Sequence, residues 1–345
     1  MNKKFSGQEQ KTIAILGTGA WGSALANVLS KNNYKVIMWG INQSEIDDIN
    51  MGKNTRYFED TNFINHRNIS ATNNLEQVIS QTNDILLAVP SSAVVEVLNL
   101  VKNLVPNNKK INIINVAKGI EAKSKKFFSD IIKDELQEKL DNYCTLIGPS
   151  FAIEVFHNKL TMINVVGPNK KFLERICSIF NNDTFRLVIT NNEKGAELFA
   201  ALKNVLALGI GIVSYFFPFS NTIAASLSIG VKEIAFLYKN IFHKEKNDAD
   251  NIGFQLAGIG DIFLTCSSTK SRNYTFGLQV AEKGLTKALQ DNKNTVEGYH
   301  AAQIINEIIQ ANNLAKEMPF INSIIEILYR NKDANLILDF TKEYQ

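Results

Sequence analysis

The sequence predicts an α/β protein in two parts: a mostly parallel sheet wrapped by helices over residues 1–190, then an all-α region over residues 191–345. Three observations carry this reading. Short runs rich in Ile, Val and Leu recur through the first half, continuous rather than alternating, as strands covered on both faces must be. Helical periodicity separates them, which is the βαβ alternation of a parallel sheet. After about Thr190 the strands stop, and helical periodicity runs on to Arg330.

Composition narrows the class. At 345 residues and 45% apolar, the chain can bury a full core and is long enough for two domains. A net charge of +3, from 37 basic and 34 acidic residues, without long single-sign blocks, argues against a nucleic-acid partner. Cys144, Cys177 and Cys266 are widely spaced and form no metal or redox pair, so reduced thiols in a cytoplasm are expected. His66, His157, His243 and His300 are equally scattered, and no metal is expected. Met1–Gln10 is polar, unlike a secretory signal. The longest apolar run, Val205–Phe219, falls short of the ~20 residues of a membrane span and contains Gly209, Gly211 and Pro218. It reads as a buried helix, and no integral membrane segment is expected.

In chain order, Lys11–Leu16 reads as a strand that ends in Gly17-Thr18-Gly19-Ala20-Trp21-Gly22. A helical pattern follows from Ala20 to Lys31, then a second strand from Tyr34 to Trp39. Ile85–Val89 is a buried strand closed by Pro90, with Ser91 or Ser92 available to cap a helix through Leu104. Ile111–Val116 is a further strand, and a helix is expected from Ser124 to about Leu140. Cys144–Ile147, Met162–Val166 and Phe185–Ile189 complete the strands. The helical half comprises Asn191–Phe217, Asn221–Phe242, Ser271–Glu282, Gly298–Ala311 and Pro319–Arg330.

One helix organises the second half. Glu197–Gly211 is apolar almost all round, yet carries Lys203 and Asn204 at its centre. A helix without a polar face belongs in a core, and burying an ammonium costs several kcal/mol, roughly, unless it is paired or wet. Lys203 must therefore meet a carboxylate or a wet cleft, unless its stem snorkels to the surface. A cleft between the two domains is the expected setting for such a lysine.

Several motifs bear on chemistry. In the Gly17-x-Gly19-x-x-Gly22 pattern the glycines permit a tight turn, backbone approach to a pyrophosphate and close packing of helix on sheet. Standing between a strand and a helix, the pattern predicts a dinucleotide site of Rossmann type, with phosphate charge held by helix amides. The second strand ends Trp39-Gly40-Ile41-Asn42, with no acid for a ribose 2′-hydroxyl and no arginine for a 2′-phosphate. The cofactor is read as a nicotinamide dinucleotide whose phosphorylation state is open. Lys118, in Ala117-Lys118-Gly119-Ile120-Glu121, stands at the carboxyl end of a strand, where open α/β sheets bind ligands; a surface lysine is the plain alternative. Gly148-Pro149-Ser150-Phe151-Ala152 follows another strand end, and turn chemistry with Ser150 as helix cap explains it equally well. Asp261, in Gly258-Ile259-Gly260-Asp261, is a carboxylate in apolar surroundings and needs a partner, or serves as a cap. Ser271-Arg272-Asn273 opens a helix and combines hydroxyl, guanidinium and amides into a site suited to a phosphate monoester. Thr295-Val296-Glu297-Gly298 reads only as a loop and helix start.

Together these segments, with Leu202-Lys203-Asn204-Val205 and Thr265-Cys266, resemble the bacterial NAD(P)-dependent glycerol-3-phosphate dehydrogenases. The likeness is collinear from residue 11 to about 340 and rests on eight motifs in order. It implies a Rossmann-type domain plus an α-helical one, NAD(P)H as cofactor, and reduction of dihydroxyacetone phosphate to sn-glycerol 3-phosphate for phospholipid synthesis. A homodimer is admitted as its assembly. By position, Lys203 resembles the catalytic acid/base. Lys118, Gly148, Ser150, Lys203, Asp261, Ser271, Arg272 and Asn273 resemble the substrate-binding set. Beside the glycines Gly17, Gly19 and Gly22, the residues Ala20, Trp21, Lys118, Ala152, Arg272, Val296 and Glu297 resemble cofactor contacts.

The sequence departs from that family in two places. Ser214-Tyr215 and Ile229 stand where members usually carry an Asp-Gly and an Arg, which bears on the packing of the helical domain. A basic residue often found near Ile41 is missing, which bears on cofactor preference. The implied chemistry is hydride transfer to a ketone carbon while Lys203, oriented by Asp261, stabilises and protonates the oxygen. A neighbouring Lys118 would draw one lysine's pKa toward neutral, and Ser271, Arg272 and Asn273 would anchor the phosphate. Two rivals are another two-domain dehydrogenase, which calls for a His–Glu pair or a different lysine setting in the second domain, and a non-catalytic nucleotide sensor, which would lack polar groups such as Lys203, Asp261 and Arg272.

Overall fold

The computed structural model describes residues 11–121, 123–242, 252–292 and 296–344. Met1–Gln10, His243 and Thr295, each read from the sequence above, lie outside them. The chain forms two compact units. The first comprises residues 1–117, 129–146 and 150–189; the second comprises 118–128, 147–149 and 190–345. Two short excursions before residue 190 thus group with the helical part, and one of them carries Lys118.

The first unit is built on an eight-stranded sheet: β1 (Thr12–Leu16), β2 (Lys35–Trp39), β3 (Ile69–Thr72), β4 (Asp84–Leu87), β5 (Ile111–Asn115), β6 (Leu140–Ile147), β7 (Thr161–Val166) and β8 (Phe185–Thr190). Their order is β3-β2-β1-β4-β5-β6-β7-β8, and the ladders joining β3 through β6 are parallel. This is the Rossmann order, in which the chain reverses direction of assembly beside β1 and leaves a ligand crevice at the strand ends there. Helices α1 (Ala20–Lys31), α2 (Gln43–Asn50), α3 (Thr55–Phe58), α4 (Leu75–Ser80), α5 (Val94–Leu104), α6 (Phe128–Leu136), α7 (Ala152–Phe156) and α8 (Lys170–Phe180) accompany it. The apolar runs that mark β1, β4 and β5 are buried almost throughout, as strands covered on both faces require. Ile13, Ile15, Leu25, Leu29, Met38 and Leu86 share one core with Phe156, Ile163 and Leu173.

Local readings change in several places. Strand β3, Ile-Ser-Ala-Thr, has too few apolar residues to stand out, and register against β2 makes it a strand. The helix expected from Ser124 begins only at Phe128, because Ile120 and Phe127 pair as an antiparallel bridge around a turn with Lys125 at φ 57°. Neither Ser91 nor Ser92 caps α5; a short 3-10 turn, Ser91–Ala93, leads into it. Ser150 does not cap α7 either, since Phe151 takes that position.

The second unit gathers around α9 (Glu193–Phe216), whose residues 195–213 are all buried. By length and composition α9 could cross a membrane, but its most apolar window lies wholly inside the protein. It lies within the helix read from the sequence as Asn191–Phe217, and it is a core helix. Following it are α10 (Ser220–Leu237), α11 (Asp261–Cys266), α12 (Arg272–Lys283), α13 (Leu285–Asp291), α14 (Glu297–Ala311) and α15 (Pro319–Tyr329). Helices α9 and α12 meet backbone to backbone. A Cβ on Gly211 would lie 2.2 Å from the Tyr274 carbonyl oxygen, and one on Gly277 2.1 Å from that of Leu208. The glycine that reads from sequence as a break in an apolar run is therefore a contact point.

In the atypical segment the Ser214 hydroxyl oxygen is buried with no hydrogen-bond partner among the described residues, and Phe219 is largely exposed. Gly230 of α10 rests on Leu206, where a Cβ would come within 2.4 Å, while Tyr215 points outward and is 46% exposed. Glu233, also on α10, is buried and accepts the backbone N–H groups of Phe320 and Ile321, each at 2.8 Å. Those are orphan donors of the first turn of α15, which has Pro319 at its start and no side-chain cap of its own.

Candidate active site

Lys203 lies midway along α9 and is 8% exposed. Its Nζ donates to Asp261 Oδ1 at 2.7 Å and to Thr265 Oγ1 at 3.2 Å. The Thr265 hydroxyl donates in turn to the Asp261 carbonyl oxygen at 2.6 Å, so its lone pair is what faces the ammonium. The second carboxylate oxygen, Oδ2, accepts from Lys118 Nζ at 2.9 Å, and Lys118 also donates to the Gly148 carbonyl at 3.0 Å. An ammonium has three donors. Each lysine spends two on these partners, and its third N–H has none among the described residues.

Local structure fixes this arrangement. The turn Leu256–Gly260 leads into α11, and Gly258 within it has non-helical φ −90° and ψ −110°. A Cβ there would strike the carbonyl oxygens of Ile252 and Gly253, both at 2.5 Å. The tight turn delivers Asp261 into the first turn of α11, and Thr265, one helical turn on, comes to the same face.

The electrostatics follow from burial. Asp261 is 1% exposed, which alone would raise its pKa, but Lys118 and Lys203 outweigh burial and hold the carboxyl below its ordinary value. Burial pulls Lys118 down to about 8; Asp261 opposes this and Lys203 adds to it. Burial also pushes the nearby Cys266 thiol up, keeping it neutral.

A second group adjoins Lys203 along the chain. Asn204 Nδ2 donates to Glu297 Oε2 at 3.0 Å, and the Gly298 N–H donates to Asn273 Oδ1 at 2.8 Å. A Cβ on Gly298 would press to 2.4 Å on the Asn204 carbonyl oxygen, so α14 begins hard against α9. Ser271 caps α12, its Oγ accepting from the Tyr274 N–H at 3.3 Å. Ser271 and Asn273 are buried, whereas Arg272 is exposed and its guanidinium has no partner among the described residues. Val296 is buried and precedes α14.

In the first unit, the glycine loop fits a dinucleotide pyrophosphate. Gly17 has φ +121°, and a Cβ on it would strike the Ala88 carbonyl oxygen at 2.4 Å. A Cβ on Gly19 would point into open space, the room a phosphate needs, and one on Gly22 would strike the Gly17 carbonyl at 2.5 Å. Gly19 is the cap of α1 and offers no side chain, so the amides of Ala20, Trp21 and Gly22 are left for an anion. Ser150 and Ala152 also belong to this unit, Ala152 opening α7. Gly148 and Lys118 belong to the other.

Family models match nearly the whole chain. The N-terminal model of NAD-dependent glycerol-3-phosphate dehydrogenase matches residues 12–173 and its C-terminal model residues 192–339. The chain belongs to the NAD-dependent glycerol-3-phosphate dehydrogenase family. Among curated relatives, the glycerol-3-phosphate dehydrogenase, NAD(P)+, of Malacoplasma penetrans is 41% identical over 333 residues, 96% of this chain and 95% of that one. The same enzyme of Mesoplasma florum is 36% identical over 93% and 94% of the two chains. The crystal structure of glycerol-3-phosphate dehydrogenase from Coxiella burnetii matches with a TM-score of 0.84 and 29% identity, over 97% of this chain and 99% of that chain.

Within this glycerol-3-phosphate dehydrogenase fold, sequence reading located Lys203, Lys118 and Asp261. It did not foresee Thr265 as a partner of Lys203 or Glu297 as a partner of Asn204. Thr265 was open to inference, being four residues after Asp261 on one helix. Glu297 was not, since 93 residues separate it from Asn204.

Proposed function

We propose that this chain interconverts dihydroxyacetone phosphate and sn-glycerol 3-phosphate using NAD(P)H, with Lys203 as the acid and base. The hydride for the ketone carbon would come from reduced nicotinamide when the dinucleotide is bound. The observation that carries the reading is the Lys203–Asp261–Lys118 group, buried at Asp261 and Lys203, with one N–H on each ammonium unpartnered among the described residues. Negative charge grows on the carbonyl oxygen as hydride arrives, and an ammonium fixed in advance stabilises it without reorganisation. Lys203 then delivers its proton to that oxygen, and takes it back in the oxidative direction. Asp261 aims Lys203 through the 2.7 Å contact, and Lys118 adds a second positive charge. Arg272, with Ser271 and Asn273 fixing the start of α12, would hold the substrate phosphate by charge-assisted hydrogen bonds. Ala20, Trp21 and the glycines of the loop, with Ala152, Val296 and Glu297, are proposed for the dinucleotide.

Cys144, Cys177 and Cys266 form no disulfide, which supports a cytoplasmic location, where the product would feed phospholipid synthesis. The test is loss of reduced-nicotinamide absorbance on adding dihydroxyacetone phosphate, with a hydroxyacyl-CoA and no substrate as controls. Turnover confined to dihydroxyacetone phosphate supports the reading; its absence with both NADH and NADPH defeats it.

A further inference from the structure

The acid that often ends the second strand of a dinucleotide fold, to hold the ribose 2′-hydroxyl, has no counterpart at Gly40–Asn42. The nearest structural substitute is Glu45, in the first turn of α2 and 7% exposed at its side chain. Both its oxygens are already used. Oε2 accepts from Thr18 Oγ1 of the glycine loop at 2.5 Å. Oε1 accepts from Arg56 at 2.6 Å and from the Tyr57 hydroxyl at 3.3 Å. The segment bearing Arg56 is itself tied to the loop, because Asn54 Nδ2 donates to the Thr18 carbonyl at 2.9 Å and to Ser23 Oγ at 2.8 Å. Gly40 at the end of β2 packs on Thr18, with no room for a Cβ, which would lie 2.5 Å from its side chain.

We propose that Arg56, held in place by Glu45, reads the 2′ position of the cofactor's adenosine ribose and accepts a 2′-phosphate there. The inference rests on the dinucleotide reading of the glycine loop. Arg56 is 60% exposed at its side chain and gives one nitrogen to Glu45; the guanidinium lies over the Tyr57 ring at 5.4 Å, and its other nitrogens have no hydrogen-bond partner among the described residues. A guanidinium with free donors beside the loop can pair with a phosphate. Glu45, buried and neutralised by Arg56, presents no free carboxylate to repel that phosphate or to bind the 2′-hydroxyl in its stead. Lys53, the other basic residue nearby, pairs with Asp60 and so turns to a different partner.

The test is calorimetric binding of 2′,5′-ADP and 5′-ADP to the whole chain, which needs no turnover. Arg56→Gln is expected to weaken 2′,5′-ADP by about tenfold or more, the lower end for a charge-assisted bond, and to change 5′-ADP by less than about twofold. Arg56→Lys, which keeps the charge, should recover part of the loss. Because Arg56→Gln strands a buried carboxylate, the double variant Glu45→Gln/Arg56→Gln serves as the second arm and should show the same selective loss. Equal weakening of both nucleotides, or no change in either variant, overturns the role of Arg56 while leaving the dinucleotide site standing. No binding of 5′-ADP to the unaltered chain overturns the dinucleotide reading and this one with it.

Discussion

Lys203 and Lys118 grip opposite oxygens of one carboxylate, at 2.7 and 2.9 Å from Asp261. Neither ammonium could be buried alone, since an isolated buried charge costs several kcal/mol, roughly. One shared carboxylate leaves the group with a net positive charge, and that surplus suits it to a developing alkoxide.

Lys203→Ala is expected to lower kcat by roughly 10² to 10⁴-fold, the usual span of general acid catalysis, with dinucleotide affinity nearly unchanged. Steady-state kinetics and a nucleotide titration check both halves. A folded variant that keeps most of its turnover would reduce Lys203 to a structural ion-pair partner.

The pKa of Lys118, brought to about 8 by burial, predicts the pH profile. Its ammonium is present below that value and lost above it. In the reductive direction kcat/KM, which reports the free enzyme, should therefore fall as pH rises past about 8. Lys118→Arg, whose charge does not titrate in that range, should lack this limb even if its rate is lower throughout. Persistence of an identical limb in the variant would assign it to another group.

Arg272→Ala should mainly weaken the phosphate-bearing substrate. A charge-assisted hydrogen bond is worth about 1.5 to 3 kcal/mol, and this guanidinium is exposed without a protein partner among the described residues. Unphosphorylated dihydroxyacetone should be affected far less. Equal losses for the two ketones would place Arg272 in the scaffold or at the cofactor alone.

Glu233 predicts a stability effect remote from the chemistry. Burial raises its pKa to about 7, although the N–H groups of Phe320 and Ile321 pull the other way. In the unfolded chain it titrates near the ordinary glutamate value of about 4.3. Between the two values the native state holds the extra proton, so its stabilising contribution is complete below about 4.3 and lost as pH rises to about 7. The change is about 4 kcal/mol at most, at ~1.4 kcal/mol per unit. Denaturant titrations at pH 5 and pH 8, as approximate set points, should show a smaller difference for Glu233→Gln than for the unaltered chain. No difference between the two chains would sink the assignment.

Much of this was legible because the physics is local. Continuous apolar runs mark strands buried on both faces, Gly17-x-Gly19-x-x-Gly22 marks a backbone turn, and a lysine in an apolar helix calls for a carboxylate or water unless it snorkels. Asp261 stood out for the same reason. What escaped depends on distant partners. The strand β3 exists because β2 offers it a ladder, and the cap of α15 comes from Glu233 on another helix. Glu45 carries no signal in the sequence, and its role follows only from its contacts with Thr18 and Arg56.

The last prediction concerns cofactor choice. A carboxylate free at the ribose would reject a 2′-phosphate by repulsion, and an unshared arginine would select for one. This chain has neither extreme: Ile41 at the end of β2 is 87% exposed and neutral, and the charge of Arg56 is divided with Glu45. Both NADH and NADPH should therefore support turnover, with kcat/KM values within about 30-fold, equivalent to about 2 kcal/mol. Because Ile41 makes little use of the core, Ile41→Arg should fold normally and add an unshared guanidinium beside the loop. The ratio of kcat/KM for NADPH over NADH should then rise by about tenfold, one charge-assisted bond's worth. A preference for one cofactor beyond about 10³ in the unaltered chain, roughly 4 kcal/mol, would mean that a discriminating group other than this divided pair governs the ribose.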